Sequence, residues 1–314
     1  MIKYIIILFL TISVAKASDV FNVTFLGTGT PRPNIEKLGP SLLIKNQEQQ
    51  ILIDIGRGTS LRISQIGNDY SNINEIYISH FHFDHVVGLA DFWLTSNLWQ
   101  KKRDTFVYGP DGVEKFCKNI MDTYQMDLKY RYKNEKYSRL NCISFKNKES
   151  FSDDEKISIH SFANDHGHID NSYGFKISYK GNNIVYSGDT TISKNVINNA
   201  KNVDILIHEI IGARKKILDN NKKLREVAST HTTIEQMISV LKQTNPKLTI
   251  LNHALLFGIS ENDVLKIIKE NYTGDVIFAK DLMSIDIGKE INIFSENNLP
   301  KKNMVFGIWI MLIF

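Results

Sequence analysis

From Phe21 onward the chain alternates short apolar runs with stretches whose apolar residues recur at helical spacing, the mark of an α/β protein in which helices cover sheets. Strands are expected at 22–26, 41–44, 50–54, 75–79 and 105–108. A second set is expected at 157–162, 173–178, 184–187, 204–208, 248–251 and 275–278. Val113, Phe116, Cys117, Ile120 and Met121 form the apolar stripe of an amphipathic helix, with Asp111 placed to cap its start. Ile234, Met237, Ile238 and Leu241 repeat the pattern, and Thr232 with Glu235 has capping-box spacing. Ser260 opens a third helix, carrying Val264, Ile267 and Ile268. With no fixed-period repeat, heptad array or Pro/Gly linker, one domain over 18–298 is expected.

The two ends depart from this pattern. A basic start at Lys3, an apolar run to Val14 and the Ala15-Lys16-Ala17 cleavage pattern read as a secretory signal over 1–17, too short for a span of about 20 residues. The tail 299–314 is apolar from Met304 to Phe314 except for Gly307, also too short to span as a helix. No stable membrane span is therefore expected. A periplasmic or secreted protein is.

Composition then narrows the class. At 314 residues, 42% hydrophobic and 23% charged, the chain is not disordered, and the net charge of +4 falls to +2 once Lys3 and Lys16 leave with the signal. Proteins that grip long polyanions carry a strong basic excess, so the balance argues against nucleic acid as a partner. Cys117 and Cys142 are the two cysteines, open to one disulfide or to two buried thiols.

The strand at 75–79 runs into His80-Phe81-His82-Phe83-Asp84-His85. Alternation turns His80 and His82 to one side, and Asp84 and His85 follow within reach of a second ion. Four potential ligands in six residues are costly to bury unless a cation pairs them, and imidazole is the commonest protein ligand for zinc. Asp54, closing its strand, is either a carboxylate that orients a liganding histidine or a capped strand end.

These residues resemble the H-x-H-x-D-H signature of the metallo-β-lactamase superfamily. LGTGTPRPN at 26–34, GPS at 39–41 and LIDIGRG at 52–58 resemble the opening strands of its ribonuclease Z and arylsulfatase-like branches. Segments from His168, at Ser187 to Thr190 and at Leu251 to Ala254 resemble those giving a third histidine, a bridging aspartate and a last histidine. The resemblance implies an αββα sandwich of two mixed β-sheets flanked by helices. It implies two Zn2+ ions, one on His80, His82 and His168, the other on Asp84, His85 and His253, with Asp189 bridging. His166 lies two residues before His168, but the spacing of His168 to Tyr173-Gly174-Phe175 fits the family register better. Such ions, about 3.5–4 Å apart, lower the pKa of a shared water toward ~7. Iron or manganese also suits such a ligand set.

Glu209 and His231 resemble a ribonuclease Z pair in which a glutamate steadies a histidine that protonates the departing oxygen. That makes His231 a general acid and Glu209 its orienter; Asp84, from the metal loop, is expected to be catalytic beside them. Arg214, Lys215, Lys216, Lys222, Lys223 and Arg225, between them, either draw an anionic substrate or form a solvated loop. The ribonuclease Z arm that grips transfer RNA has no room between His168 and Asp189. The segments after the metal loop resemble an arylsulfatase-like group, and neither cysteine has the x-Pro-x-Arg context of formylglycine sulfatases, so any sulfatase activity would be metal-based. Phe92, Trp93 and Trp99 read as core before pocket. The expected function is a binuclear zinc-dependent hydrolase of small anionic esters, aryl sulfates or phosphodiesters, as a homodimer in keeping with family members. The alternatives are a ribonuclease Z-like tRNA 3′ endonuclease and a metal-binding protein without turnover.

Overall fold

The computed structural model describes residues 20–99, 101–133, 136–145 and 156–295. The signal and tail expected at 1–17 and 299–314 lie outside the described residues.

The first half builds β1 (Phe21–Gly27), β2 (Ser41–Lys45), β3 (Gln50–Ile53), α1 (Thr59–Gln65), β4 (Ile73–Tyr77), α2 (Phe83–Val86), α3 (Leu89–Leu98), β5 (Thr105–Gly109), α4 (Val113–Thr123), α5 (Gln125–Tyr132) and β6 (Leu140–Ser144). The second half builds β7 (Ser158–Ala163), β8 (Tyr173–Tyr179), β9 (Asn182–Tyr186), α6 (Lys194–Asn199), β10 (Ile205–Ala213), α7 (Lys215–Asp219), α8 (Lys222–Ala228), α9 (Ile234–Thr244), β11 (Leu248–Phe257), α10 (Glu261–Lys269), β12 (Asp275–Phe278), β13 (Ser284–Ile287) and β14 (Ile291–Phe294).

Two mixed sheets result, one in the order β14-β13-β1-β2-β3-β4-β5-β6, the other β12-β11-β10-β9-β8-β7. In each, an antiparallel part gives way to parallel strands, β3 to β6 in one and β9 to β12 in the other. Strands buried on both faces read as nearly continuous apolar runs, as in Ile205-Leu206-Ile207. Ile205 and Ile207 enter the core between the sheets with Phe25, Ile53 and Phe175, while Leu206 joins the outer layer with Met237, Val240 and Val264 of α9 and α10. A matching outer layer joins Leu43, Leu52 and Ile76 to Ile63, Phe92 and Trp93 of α1 and α3. The architecture is the expected αββα sandwich, with Phe92 and Trp93 in the core and Trp99 exposed.

Three local readings are corrected. The helix at Val113 starts from Gly112 with no side-chain cap, because Asp111 instead accepts a hydrogen bond from Ser144 Oγ of β6 at 2.7 Å. The capping box of α9 is formed by Thr233 and Gln236, not Thr232 and Glu235; Thr232 is turned toward Glu209 and Thr190. The basic stretch from 214 to 225 is a pair of short helices, α7 and α8. Cys117 and Cys142 are joined by a disulfide that ties α4 to β6.

β10 and β11 run past the ends of their neighbours. After a register shift at Glu209/Ile210 they stay paired to Ala213 and Phe257, a two-stranded ribbon from whose tip α7 and α8 depart.

Candidate metal centre

The turn after β4 is fixed by Asp54, which lies at the end of β3 in a left-handed conformation (φ 55°) and is fully buried. Its carboxylate accepts from Ser79 N (2.7 Å), Ser79 Oγ (2.9 Å), His85 Nδ1 (2.8 Å) and Tyr186 Oη (2.8 Å). Of its two readings, the one that orients a histidine is what the geometry shows.

Two groups of donor atoms converge beyond it. His80, His82, His166 and Asp189 form one; Asp84, His85 and His253 form the other. His80 Nε2 and His166 Nε2 both face His82 Nδ1, at 2.9 and 3.3 Å. One oxygen of Asp189 lies between the groups, with His253 Nε2 at 3.2 Å, His85 Nε2 at 3.5 Å, His80 Nε2 at 3.8 Å and His166 Nε2 at 3.9 Å around it. Asp84 Oδ2 lies 3.7 Å from His85 Nε2 and 3.8 Å from His253 Nε2.

The expected third histidine is corrected here. His166 is buried in the cluster, its Nδ1 held 2.8 Å from Thr230 O, whereas His168 is exposed and outside it. His166 and Ile169 form a bridge across a turn that carries His168 outward. His80, His82, Asp84, His85, Asp189 and His253 are all brought together as expected.

The far ring nitrogens make a case for cations. His80 Nδ1 meets Ser79 Oγ (3.0 Å), His85 Nδ1 meets Asp54, His166 Nδ1 meets Thr230 O, and His253 Nδ1 meets Gly29 O (2.6 Å). Each partner fixes the tautomer that offers Nε2 to the centre, the usual support of metal-bound histidine. At the centre, Asp84 Oδ2, His85 Nε2 and Asp189 Oδ1 are buried without a hydrogen-bond partner. Such atoms are costly to bury unless a cation completes them, so the donor set fits two divalent ions.

Electrostatics follow the same geometry. Burial holds His80 well below the usual imidazole range, helped by the nearby His85. Burial opposes the charge on His85 too, yet Asp189 and Asp54 carry it well above that range. His231 sits beside the centre, its ring 5.0 Å from that of His166 and 6.5 Å from that of His253. Its Nδ1 is 3.2 Å from Glu209 Oε2; burial disfavours its charge, but Glu209 prevails and pushes the imidazole up to about 9. Glu209 is itself set by Thr232 N at 2.8 Å.

The family described as Anti-Pycsar protein Apyc1 matches residues 21–254. Ribonuclease Z from Mycolicibacterium gilvum (strain PYR-GCK) is 26% identical over 244 residues, covering 74% of this chain and 84% of that protein. The fold is shared with solved structures. The metallo-beta-lactamase fold protein YhfI from Bacillus subtilis superposes with a TM-score of 0.67 at 18% identity, over 86% of this chain and 100% of its own. The short form of human tRNase Z gives 0.63 at 23%, over 85% and 99%.

Proposed function

We infer, for a chain that belongs to the Anti-Pycsar protein Apyc1 family within the metallo-β-lactamase superfamily, that it is a binuclear, metal-dependent phosphodiesterase of small substrates. The observation that carries this reading is the set of four histidines whose outer nitrogens are fixed while their inner nitrogens gather around Asp189, in a centre where Asp84 Oδ2, His85 Nε2 and Asp189 Oδ1 are buried without a hydrogen-bond partner. His80, His82 and His166 would hold one ion, Asp84, His85 and His253 the other, with Asp189 shared. Zinc is the first choice for that donor set, with iron and manganese as alternatives. When bound, the pair supplies positive charge for the phosphoryl oxygens and acidifies water at neutral pH.

The protein's own groups do the rest. Asp54 keeps His85 in register, and Glu209 holds Nδ1–H of His231 so that Nε2 faces the substrate side. There His231 holds a proton for the departing oxygen, and Glu209 steadies the cation before the transfer. The phosphodiester is favoured over the aryl sulfate because a ribonuclease acts on a phosphodiester, and a ribonuclease Z matches 74% of this chain.

The β8–β9 hairpin turns at Lys180-Gly181 and leaves no insertion to grip a long RNA, which favours a small substrate. The endonuclease remains the second reading, on the strength of the ribonuclease Z likeness and the cations of α7 and α8. Export to an oxidising compartment is part of the proposal, supported by the Cys117–Cys142 bridge. Recovery of the protein from the cytoplasm with its first 17 residues intact would refute it.

The test is turnover by the zinc-loaded protein on a chromogenic aryl phosphodiester, an aryl sulfate and a structured RNA, with Asp189→Ala as control. Cleavage of the phosphodiester alone supports the reading. Preferential RNA cleavage that weakens steeply with salt would transfer it to the endonuclease.

A further inference from the structure

His253 depends on a residue that no sequence pattern connected to the centre. Its Nδ1 is held by the carbonyl of Gly29, in the loop that joins β1 to β2. That loop closes on itself, Gly29 N donating to Leu38 O at 2.7 Å. A side chain at Gly29 would meet Lys37 O at 2.3 Å, so the two limbs lie backbone against backbone and the carbonyl direction is set by how the limbs are held.

They are held by Asp281. Its Oδ1 accepts from Thr28 N (2.9 Å) and Thr28 Oγ1 (2.7 Å), on one limb; its Oδ2 accepts from Leu38 N (2.8 Å), on the other. Arg62 of α1 completes the carboxylate through Nη2 at 2.9 Å and Nε at 3.3 Å. Asp281 sits in the link between β12 and β13, which is stitched to both sheets: Ala279 N to Leu251 O (2.8 Å), two residues before His253, and Leu282 N to Phe25 O (2.7 Å), three residues before Thr28. One carboxylate, carried on a link that is bonded to β11 through Ala279, thus ties the loop that gives the carbonyl to the strand that gives the histidine.

We propose that Asp281, with Arg62, is a positioning residue for His253: it pins the two limbs of the Thr28–Leu38 loop so that Gly29 O fixes the histidine for one of the two cations. The inference rests on the two-cation reading above. It acts through a neutral backbone acceptor, so it bears on one ion and not on the other, whose histidines lean on Ser79 and Thr230.

The experiment is metal titration of the full chain by calorimetry, with cobalt absorption as a second readout of ligand geometry, for wild type, Asp281→Asn, Arg62→Ala and Arg62→Lys. Asp204→Asn is the control, a buried carboxylate at the opposite end of β10 that accepts from Asn183 N and pairs with Lys247. Asp281→Asn is expected to weaken one ion by about 10- to 100-fold and shift its cobalt spectrum while leaving the other unchanged. Arg62→Ala should do the same to a lesser degree, and Arg62→Lys should restore part of it. Unchanged affinities in Asp281→Asn, or a parallel loss of both ions as in a generally loosened protein, would overturn the proposal. If Asp281→Asn does not fold, Arg62→Ala decides on the same readout. Failure of wild type to bind two ions would instead sink the two-cation reading itself, and that result is distinct from two tight ions that ignore Asp281.

Discussion

His231→Ala separates proton donation from metal binding. The ring lies beside the ligands and is not one of them, its outer nitrogen committed to Glu209. Removing it should leave both ions in place. A positioned acid contributes about 10²- to 10⁴-fold, which is ~2.7–5.5 kcal/mol of barrier, so kcat on a phosphodiester with an alkyl leaving group should fall by that amount. On a nitrophenyl ester, whose anion departs unprotonated at neutral pH, the fall should be less than about tenfold. Stability should drop by about 1–3 kcal/mol, because Glu209 Oε2 loses its partner while Oε1 keeps Thr232 N. The assay is kcat on the two esters, with metal content by elemental analysis and urea unfolding on the same samples. Equal losses on both esters, or a variant that has lost an ion, would refute the assignment of His231 as the acid.

Asp54→Asn keeps the shape but places an amide N–H against either Ser79 N or the Ser79, His85 and Tyr186 donors; thermal unfolding should report a loss of ~1–3 kcal/mol, and metal titration a weakened ion at His85. Burial lowers Lys101 to about 8, below its unfolded value of roughly 10.4, so between those pH values the unfolded chain binds more protons and stability rises with pH. Lys101→Met should flatten that rise in urea titrations at pH 7.5 to 10.5, and an unchanged slope would count against it. Replacing Cys117 and Cys142 by serine opens a loop with a sequence separation of 25 and should cost about 3.5 kcal/mol by chain entropy, read from denaturant midpoints.

The fold was legible wherever apolar spacing was unambiguous. Ser260 caps its helix as expected, and the stripe from Val113 to Met121 is a helix. β6, β13 and β14 are not among the expected strands, although Ser284 to Ile287 and Ile291 to Phe294 show the polar–apolar alternation of a hairpin. Ligand identity was legible through chemical type and order, but His166 against His168 was not, because their two-residue spacing gives both the same strand parity and only the turn at 166–169 decides which faces inward. Asp281 was beyond reach for a different reason. Its partners Thr28, Leu38 and Arg62 lie more than 200 positions away, and no local pattern encodes such a contact.

The paired extension of β10 and β11 makes the two sides of the α7–α8 excursion unequal. Outbound, the chain leaves at Ala213 into helices that bury little more than Leu224. Inbound, it arrives at Thr230 and His231, whose carbonyl and imidazole belong to the centre. Residues 215–228 are therefore a cassette with one tolerant junction and one intolerant one. Lengthening, shortening or recharging it from the Ala213 side should retune what approaches the metals without moving them. Inserting or deleting a single residue at the Thr230 side would instead displace a ligand's backbone support and the acid together.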